Sequence, residues 1–301
     1  MGISHYLKEV GRGKQGARSL AREQAADLFG QILDGGASDL EIGAFCIAMR
    51  VKGETLEEMC GFLDATHARL QRASSASGQP VVVLPSYNGA RRLPVLTPLL
   101  AGLVARRGLP VLIHGSATES SRVFVREVLQ AMDVQASDAA PVLRDGQLAF
   151  VPTEVLSPGL KRLLDARRAI GLRNSAHSVV KLMNPCSGAA VIVSSYTHPE
   201  YAASMGAVFE RMGASALLLR GTEGEAVADA RRLPRMEGFR NGLRTTLQPG
   251  RQGSLAELPA LPRETDPETT AAYIRDVLAG RKPVPEAIAL QVEHILHLAF
   301  A

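Results

Sequence analysis

Two short segments concentrate the residue types that bind anions. Pro85-Ser86-Tyr87-Asn88-Gly89-Ala90-Arg91-Arg92 follows the β-branched run Val81–Leu84 and precedes a helical pattern, the place of a phosphate-binding loop. It holds a single glycine, whereas loops that lay a phosphate against backbone use several. The second segment, His114-Gly115-Ser116-Ala117-Thr118-Glu119-Ser120-Ser121, sets hydroxyls ahead of another helical pattern. Such hydroxyls serve as helix caps or as anion contacts, and capping is the commoner use. His114, His177 and His198 lack partners at metal-ligand spacing, so structural roles and no metal site are expected. Cys46, Cys60 and Cys186 show no CxxC spacing and are odd in number, which fits buried thiols in a reducing cytoplasm.

Charge is the next guide. The net charge is only +4, yet it is unevenly spread. Lys8, Arg12, Lys14, Arg18 and Arg22 face only Glu9 near the start. Lys161, Arg162, Arg167, Arg168, Arg173 and Lys181 face only Asp165, and six arginines between 231 and 251 face only Glu237. Basic blocks in a nearly neutral chain suit a local anionic partner or, equally, solvated helix faces. Gly11-Arg12-Gly13-Lys14 has no strand before it and is no P-loop; it reads as a basic turn between helices. No apolar run is long enough to span a membrane. The chain has no Trp, so base-stacking platforms are few; Tyr87 and Tyr196 are the candidates, with packing the commoner fate.

The elements that would position these residues follow from periodicity. Ser38 with Glu41, and Thr55 with Glu58, are capping boxes that open two helices within the first seventy residues. Residues 73–80 are small and polar and read as a linker. Beyond it, Val81–Leu84, Val111–Ile113, Val191–Val193 and Ala216–Leu219 alternate with helical patterns at 98–107, 119–132 and 199–212. Thr197 with Glu200 predicts a cap for the last of these, and two more helices close the chain from Asp266 onward. The expected fold is α/β: a small N-terminal helical domain over 1–72, joined by a helical segment near 155–185, and an α/β domain over 81–301. Its central sheet is mostly parallel and flanked by helices.

Taken together, Gly11–Lys14, Pro85–Arg91, His114-Gly115, the stretch from Arg167 through Pro185 and Gly221-Thr222-Glu223-Gly224-Glu225 resemble anthranilate phosphoribosyltransferases. Within that family they are similar to a divergent branch, the YbiB-type proteins. The resemblance covers nearly the whole chain. It implies that the family's Gly-Thr-Gly-Gly-Asp phosphate loop falls on Ser86–Ala90, where the glycines and the aspartate are missing. The family's Lys-His-Gly-Asn-Arg row is Ile113-His114-Gly115-Ser116-Ala117 here, and its Asp-Glu pair for magnesium falls near Ala226-Val227, with Glu223 and Glu225 close by. Arg167, Arg173, Asn184 and Pro185 match, and the resemblance implies that Arg167 lies where the enzymes contact anthranilate.

These losses, spread over three loops that serve one substrate, predict that transferase chemistry is gone and that no cofactor is used. Ser86, Tyr87, Asn88, Gly89, His114, Gly115 and Arg167 would then line a vestigial substrate pocket. Arg12, Lys14, Arg18, Arg91, Arg92, Arg173 and Lys181 would bind DNA or RNA with little sequence preference. The resemblance further implies a homodimer formed through the helical domain, with these residues flanking a groove. The alternative is a transferase that uses magnesium and phosphoribosyl pyrophosphate with an aromatic or nucleobase acceptor. A small-molecule sensor built on Arg167 is a third option.

Overall fold

The computed structural model describes residues 2–119 and 121–301; the side chain of Lys14 and residue Ser120 lie outside that description. The chain divides into two compact units, Met1–Gln71 with Thr153–Pro185, and Arg72–Pro152 with Cys186–Ala301.

The first unit is helical. Both capping boxes form: Ser38 Oγ accepts from Glu41 N–H at 3.3 Å while Glu41 accepts from Ser38 N–H at 2.9 Å, opening the helix Asp39–Lys52. Thr55 and Glu58 repeat this at the helix Leu56–His67. Glu58 is fully buried, and it is balanced there by Lys52 Nζ at 2.6 Å and by the Leu20 N–H at 2.9 Å. A charge in such a place needs both kinds of partner. Phe29 and Phe62 stack at 4.6 Å between ring centroids, and Phe45 meets Phe62 edge-on at 5.8 Å. That aromatic trio binds the helices Arg22–Leu33, Asp39–Lys52 and Leu56–His67 into one core.

The second unit holds all the strands: β1 Ser74–Ser75, β2 Val81–Ser86, β3 Val111–Gly115, β4 Val142–Leu143, β5 Leu148–Pro152, β6 Ala190–Tyr196, β7 Ala216–Arg220, β8 Met236–Arg240 and β9 Leu243–Gln248. Seven of them form one sheet in the order β5-β3-β2-β6-β7-β8-β9. The five from β5 to β7 are parallel, and their near-continuous apolar runs are what a sheet covered on both faces requires. The hairpin β8–β9 adds an antiparallel edge that periodicity did not predict. Stretch 73–80, expected to be a linker, instead contributes β1, which pairs with β4 in a separate parallel ribbon.

Two helix expectations also shift. The helix expected over 119–132 is Val125–Ala131 only. The helix Glu200–Met212 starts without a side-chain cap, because Pro199 and not Thr197 holds the cap position.

Topology locates the functional end of this sheet. From β2 the chain builds outward through β3 to β5; from β6 it builds the other way through β7. The direction therefore reverses between β2 and β6, and ligands of open α/β sheets sit beyond the strands' carboxyl ends at such a point. The loop after β7 is fixed from behind by the helix Glu286–Phe300. Its fully buried Gln291 accepts from Ala228 N–H at 2.8 Å and donates to Ala226 C=O at 2.9 Å.

Each buried backbone group left without a partner costs about 1–3 kcal/mol. Gln291→Leu orphans one donor and one acceptor, so it is expected to lower stability by about 2–4 kcal/mol in urea unfolding. An unchanged midpoint would show that this clamp is dispensable.

Candidate functional site

At the switch point, the segment from Ser86 to Leu93 turns across the mouth of the sheet. Its register is set by β2 and β3, which place Pro85 beside His114 and Ser86 beside Gly115. The backbone then presents its N–H groups in two sets, Asn88 with Gly89 and Arg91 through Leu93, separated by Ala90, whose N–H donates to Val123 C=O at 2.9 Å; successive amides so turned make anion-binding concavities. Asn88 N–H and Gly89 N–H both donate to Glu225 Oε1 at 2.8 Å. Arg92 N–H and Leu93 N–H donate to Glu223 Oε1 at 2.9 and 3.0 Å, and Arg91 N–H donates to Glu223 Oε2 at 3.1 Å. Four amides of the expected phosphate loop, with that of Leu93 just past it, thus converge on two carboxylates supplied by the loop after β7.

The glutamate loop is shaped for this contact. Gly224 has φ +90°, and a Cβ there would lie 2.0 Å from Asn88 Nδ2, so only glycine permits the approach. Glu223 itself sits at φ +50° and ψ 20°, a left-handed conformation that costs an L-residue about 1–2 kcal/mol. The surroundings hold it there: Ser195 Oγ donates to Gly224 C=O at 2.7 Å, Thr222 N–H donates to Val227 C=O at 2.8 Å, and Asn88 Nδ2 donates to Glu223 C=O at 3.1 Å. Glu225 is 1% exposed and receives in addition the Thr97 hydroxyl at 3.4 Å. The Glu223 side chain keeps 18% of its surface, with Arg122 Nη1 at 3.8 Å. Arg122 also reaches Gly89 C=O at 3.3 Å and pairs with Glu119.

Beside the loop, buried polar atoms lack partners. Ser86 Oγ, Asn88 Oδ1 and His114 Nε2 have no hydrogen bond, on residues only 3%, 4% and 0% exposed. Orphaned buried polar atoms are rare and mark a site for a ligand or an ordered water. His114 Nδ1 faces Tyr87 Oη at 2.8 Å, and burial drives its pKa down to about 3, so the ring is neutral. Tyr87 is 2% exposed, so it anchors the loop from within and offers no surface on which a base could stack.

The helical unit carries a second polar group of its own. Asn174 N–H donates to His177 Nδ1 at 3.3 Å, and Asn174 Nδ2 donates to Leu163 C=O at 2.7 Å. Burial, reinforced by Arg173, Arg167 and Lys181, holds the His177 pKa down at about 3. Ser175 Oγ donates to Glu54 at 2.5 Å. A cluster of cations around a neutral ring is suited to a carboxylate or another planar anion.

The structure gathers Ser86, Tyr87, Asn88, Gly89, His114 and Gly115 at one mouth, whereas Arg167 belongs to the helical unit. Of the residues expected to bind nucleic acid, Arg91 and Arg92 expose their side chains at the sheet's mouth. Arg12 and Arg18 are in the helical unit and share Glu9, at 2.7 and 3.7 Å. Lys181 is only 9% exposed, too buried to meet a phosphate backbone as it stands, and Arg173 is partly buried. The Lys14 side chain lies outside the described residues. Cys46, Cys60 and Cys186 are buried and form no disulfide, and burial pushes the Cys186 thiol up to about 12. Among the described residues no helix is long and apolar enough to cross a membrane. Three participants escaped sequence reasoning. Arg122 and Gln291 carry no local signal, and the contact of Glu223 and Glu225 with the loop was hinted at only by the glycines that frame them.

Comparison with known proteins places this geometry. The helical bundle domain of the glycosyl transferase family matches residues 4–69. The chain is 39% identical over 299 residues to the uncharacterized protein YbiB of Escherichia coli strain K12, covering 97% of this chain and 92% of the relative. It is 28% identical to the anthranilate phosphoribosyltransferase of Beijerinckia indica, over 90% of this chain and 81% of that one. The fold matches the anthranilate phosphoribosyltransferase of Saccharomyces cerevisiae in complex with PRPP and Mg, at a TM-score of 0.70 and 12% identity, covering 99% of this chain and 88% of that one. Those last two proteins, both anthranilate phosphoribosyltransferases and one of them in complex with PRPP and Mg, overturn the expectation, drawn from the altered loops, that a chain of this kind does without a cofactor.

The buried histidines generate a pH test. An unfolded histidine titrates near 6.5, and His114 in the fold titrates near about 3, so below about 6.5 only the unfolded chain takes up the proton. His114 thus contributes stability that is present above about 6.5 and is lost as pH falls toward 3, by up to about 1.4 kcal/mol per pH unit. His114→Gln is expected to flatten the fall in unfolding free energy between pH 6.5 and 4.5 by that slope. Parallel curves for the two proteins would contradict the assignment.

Proposed function

The chain belongs to the YbiB-type branch of the anthranilate phosphoribosyltransferase-like glycosyl transferase family, and on that premise we propose that it is a transferase using a phosphorylated sugar. Its donor would be of the phosphoribosyl pyrophosphate class with magnesium, and its acceptor an aromatic acid or a nucleobase. The observation that carries this reading is the convergence of the Asn88, Gly89, Arg91, Arg92 and Leu93 amides at the switch point of the sheet. Amides so arranged suit an anion, and here they hold the carboxylates of Glu223 and Glu225.

The residues fit these ligands in kind. Backbone N–H groups suit phosphate oxygens, and the unpartnered Ser86 Oγ and Asn88 Oδ1 leave polar capacity unspent at the loop. Glu223, whose side chain keeps 18% of its surface, offers a hard oxygen ligand next to it, and magnesium is commonly held by one or two carboxylates together with substrate phosphates. When bound, the cation neutralises charge that develops on the departing pyrophosphate. The chain's own part is to orient the phosphates through the loop amides and to add positive charge from Arg122. The neutral, fully buried His114 keeps an unpartnered polar edge behind the loop without adding charge. In the helical unit, Arg167 and Arg173 are the residues suited to an acceptor's carboxylate.

A second reading, sequence-tolerant binding of DNA or RNA, is favoured by Arg91 and Arg92, whose exposed side chains flank the loop at the sheet's mouth. We also propose that the protein acts in the cytoplasm as a homodimer. Exposed Ile47 and Val51, beside a cavity lined by Leu7, Val10 and Ala44, give the helical unit an apolar face for a second copy.

The two functions separate in one set of assays. Incubation with phosphoribosyl pyrophosphate, magnesium and a panel of aromatic acids and nucleobases is expected to release pyrophosphate only when the correct acceptor is present. No turnover and no binding of the sugar phosphate would sink the transferase reading. Salt-sensitive binding of oligonucleotides, weakened across all sequences by Arg91→Ala with Arg92→Ala, would put the second reading in its place.

A further inference from the structure

We propose that Glu223 is a latch on an anion site: its carboxylate fills the amides of Arg91, Arg92 and Leu93, and a phosphate group of a diphosphate-bearing ligand replaces it there. The identity of the ligand rests on the transferase reading; the latch itself rests on geometry.

Three successive N–H groups aimed at one carboxylate form a concavity complete in itself, yet its occupant comes from far along the chain. The occupant's backbone lies in the strained left-handed region at φ +50° and is held there by contacts to its main chain, so the carboxylate's own attachment is to the three amides and Arg122. The two glutamates are not equivalent. Glu225 is 1% exposed and is held by Asn88, Gly89 and Thr97. The Glu223 side chain keeps 18% of its surface and so has a path to solvent. Glu225 is the fixed post and Glu223 the part that moves.

A separate observation bears on what would accompany the anion: an amide oxygen accepts, so an unpartnered one suits a cation or a hydroxyl of the ligand rather than its phosphate oxygens. Asn88 donates through Nδ2 to Glu223 C=O while its Oδ1 has no partner, although the residue is only 4% exposed. Ser86 Oγ is likewise unpartnered on a residue 3% exposed. The electrostatics favour exchange. Arg122, with Nη1 at 3.8 Å from Glu223, stays in place when the carboxylate leaves, and the exposed Arg91 and Arg92 side chains flank the entrance. A phosphate entering as Glu223 departs leaves no amide unpaired and meets a guanidinium already present.

The test is calorimetric titration of the full chain with inorganic pyrophosphate, in the wild type, in Glu223→Ala and in Glu223→Gly, the last of which accepts positive φ without strain. A site closed most of the time binds more weakly by its open fraction, so both variants are expected to bind about tenfold tighter or more. Equal affinity in all three overturns the latch and leaves the transferase reading standing. No binding by any of them overturns both. Should Glu223→Ala fail to fold, the wild type reports alone. Pyrophosphate is then expected to shift the amide resonances of Arg91, Arg92 and Leu93 and to spare those of Asn88 and Gly89. Binding without those shifts overturns the proposal.

Discussion

A backbone N–H turned inward at the end of a sheet has to find an acceptor, and in the loop after β2 five of them find the carboxylates of Glu223 and Glu225. Much of the surrounding structure serves this one contact. Gly224 lets the two loops touch, Ser195 and Gln291 fix the loop after β7, and Tyr87 packs its ring beneath the loop after β2 against His114. The left-handed backbone at Glu223 is the local cost of bringing its carboxylate to the amides.

The contact explains how a loop with one glycine still builds an anion cradle. In a glycine-rich loop the absence of side chains lets the ligand approach the backbone. Here the side chains at 91 and 92 point to solvent while their amides point inward, so the concavity survives the change in sequence. The inward-facing donors are present, although a glycine-rich sequence does not announce them.

How much was legible follows the same division between local and distant. The parallel strands could be read because burial on both faces demands unbroken apolar runs such as Val81–Leu84. The strand Met236–Arg240 could not, because it buries Glu237 between Arg235 and Arg244 and so reads as polar. The capping boxes at Ser38 and Thr55 were legible because their partners lie three residues away. At the site, the residue types of the loop and His114 stood out from sequence alone. The pairing of that loop with Glu223 and Glu225, some 130 residues on, has no local signature, and without it the altered loop read as a loss of function. Burial also decides what charge cannot: Lys181 counts as basic in sequence but lies inside the helical unit.

The most direct test of this account is native-state hydrogen exchange at the amides of Asn88, Gly89, Arg91, Arg92 and Leu93. If the two carboxylates hold them, all five exchange far more slowly than an exposed loop of the same sequence, even at Arg91 and Arg92, whose side chains face water. Exchange at the rate of an unstructured loop would mean that the carboxylates are not on the amides and that the cradle described here does not exist in solution.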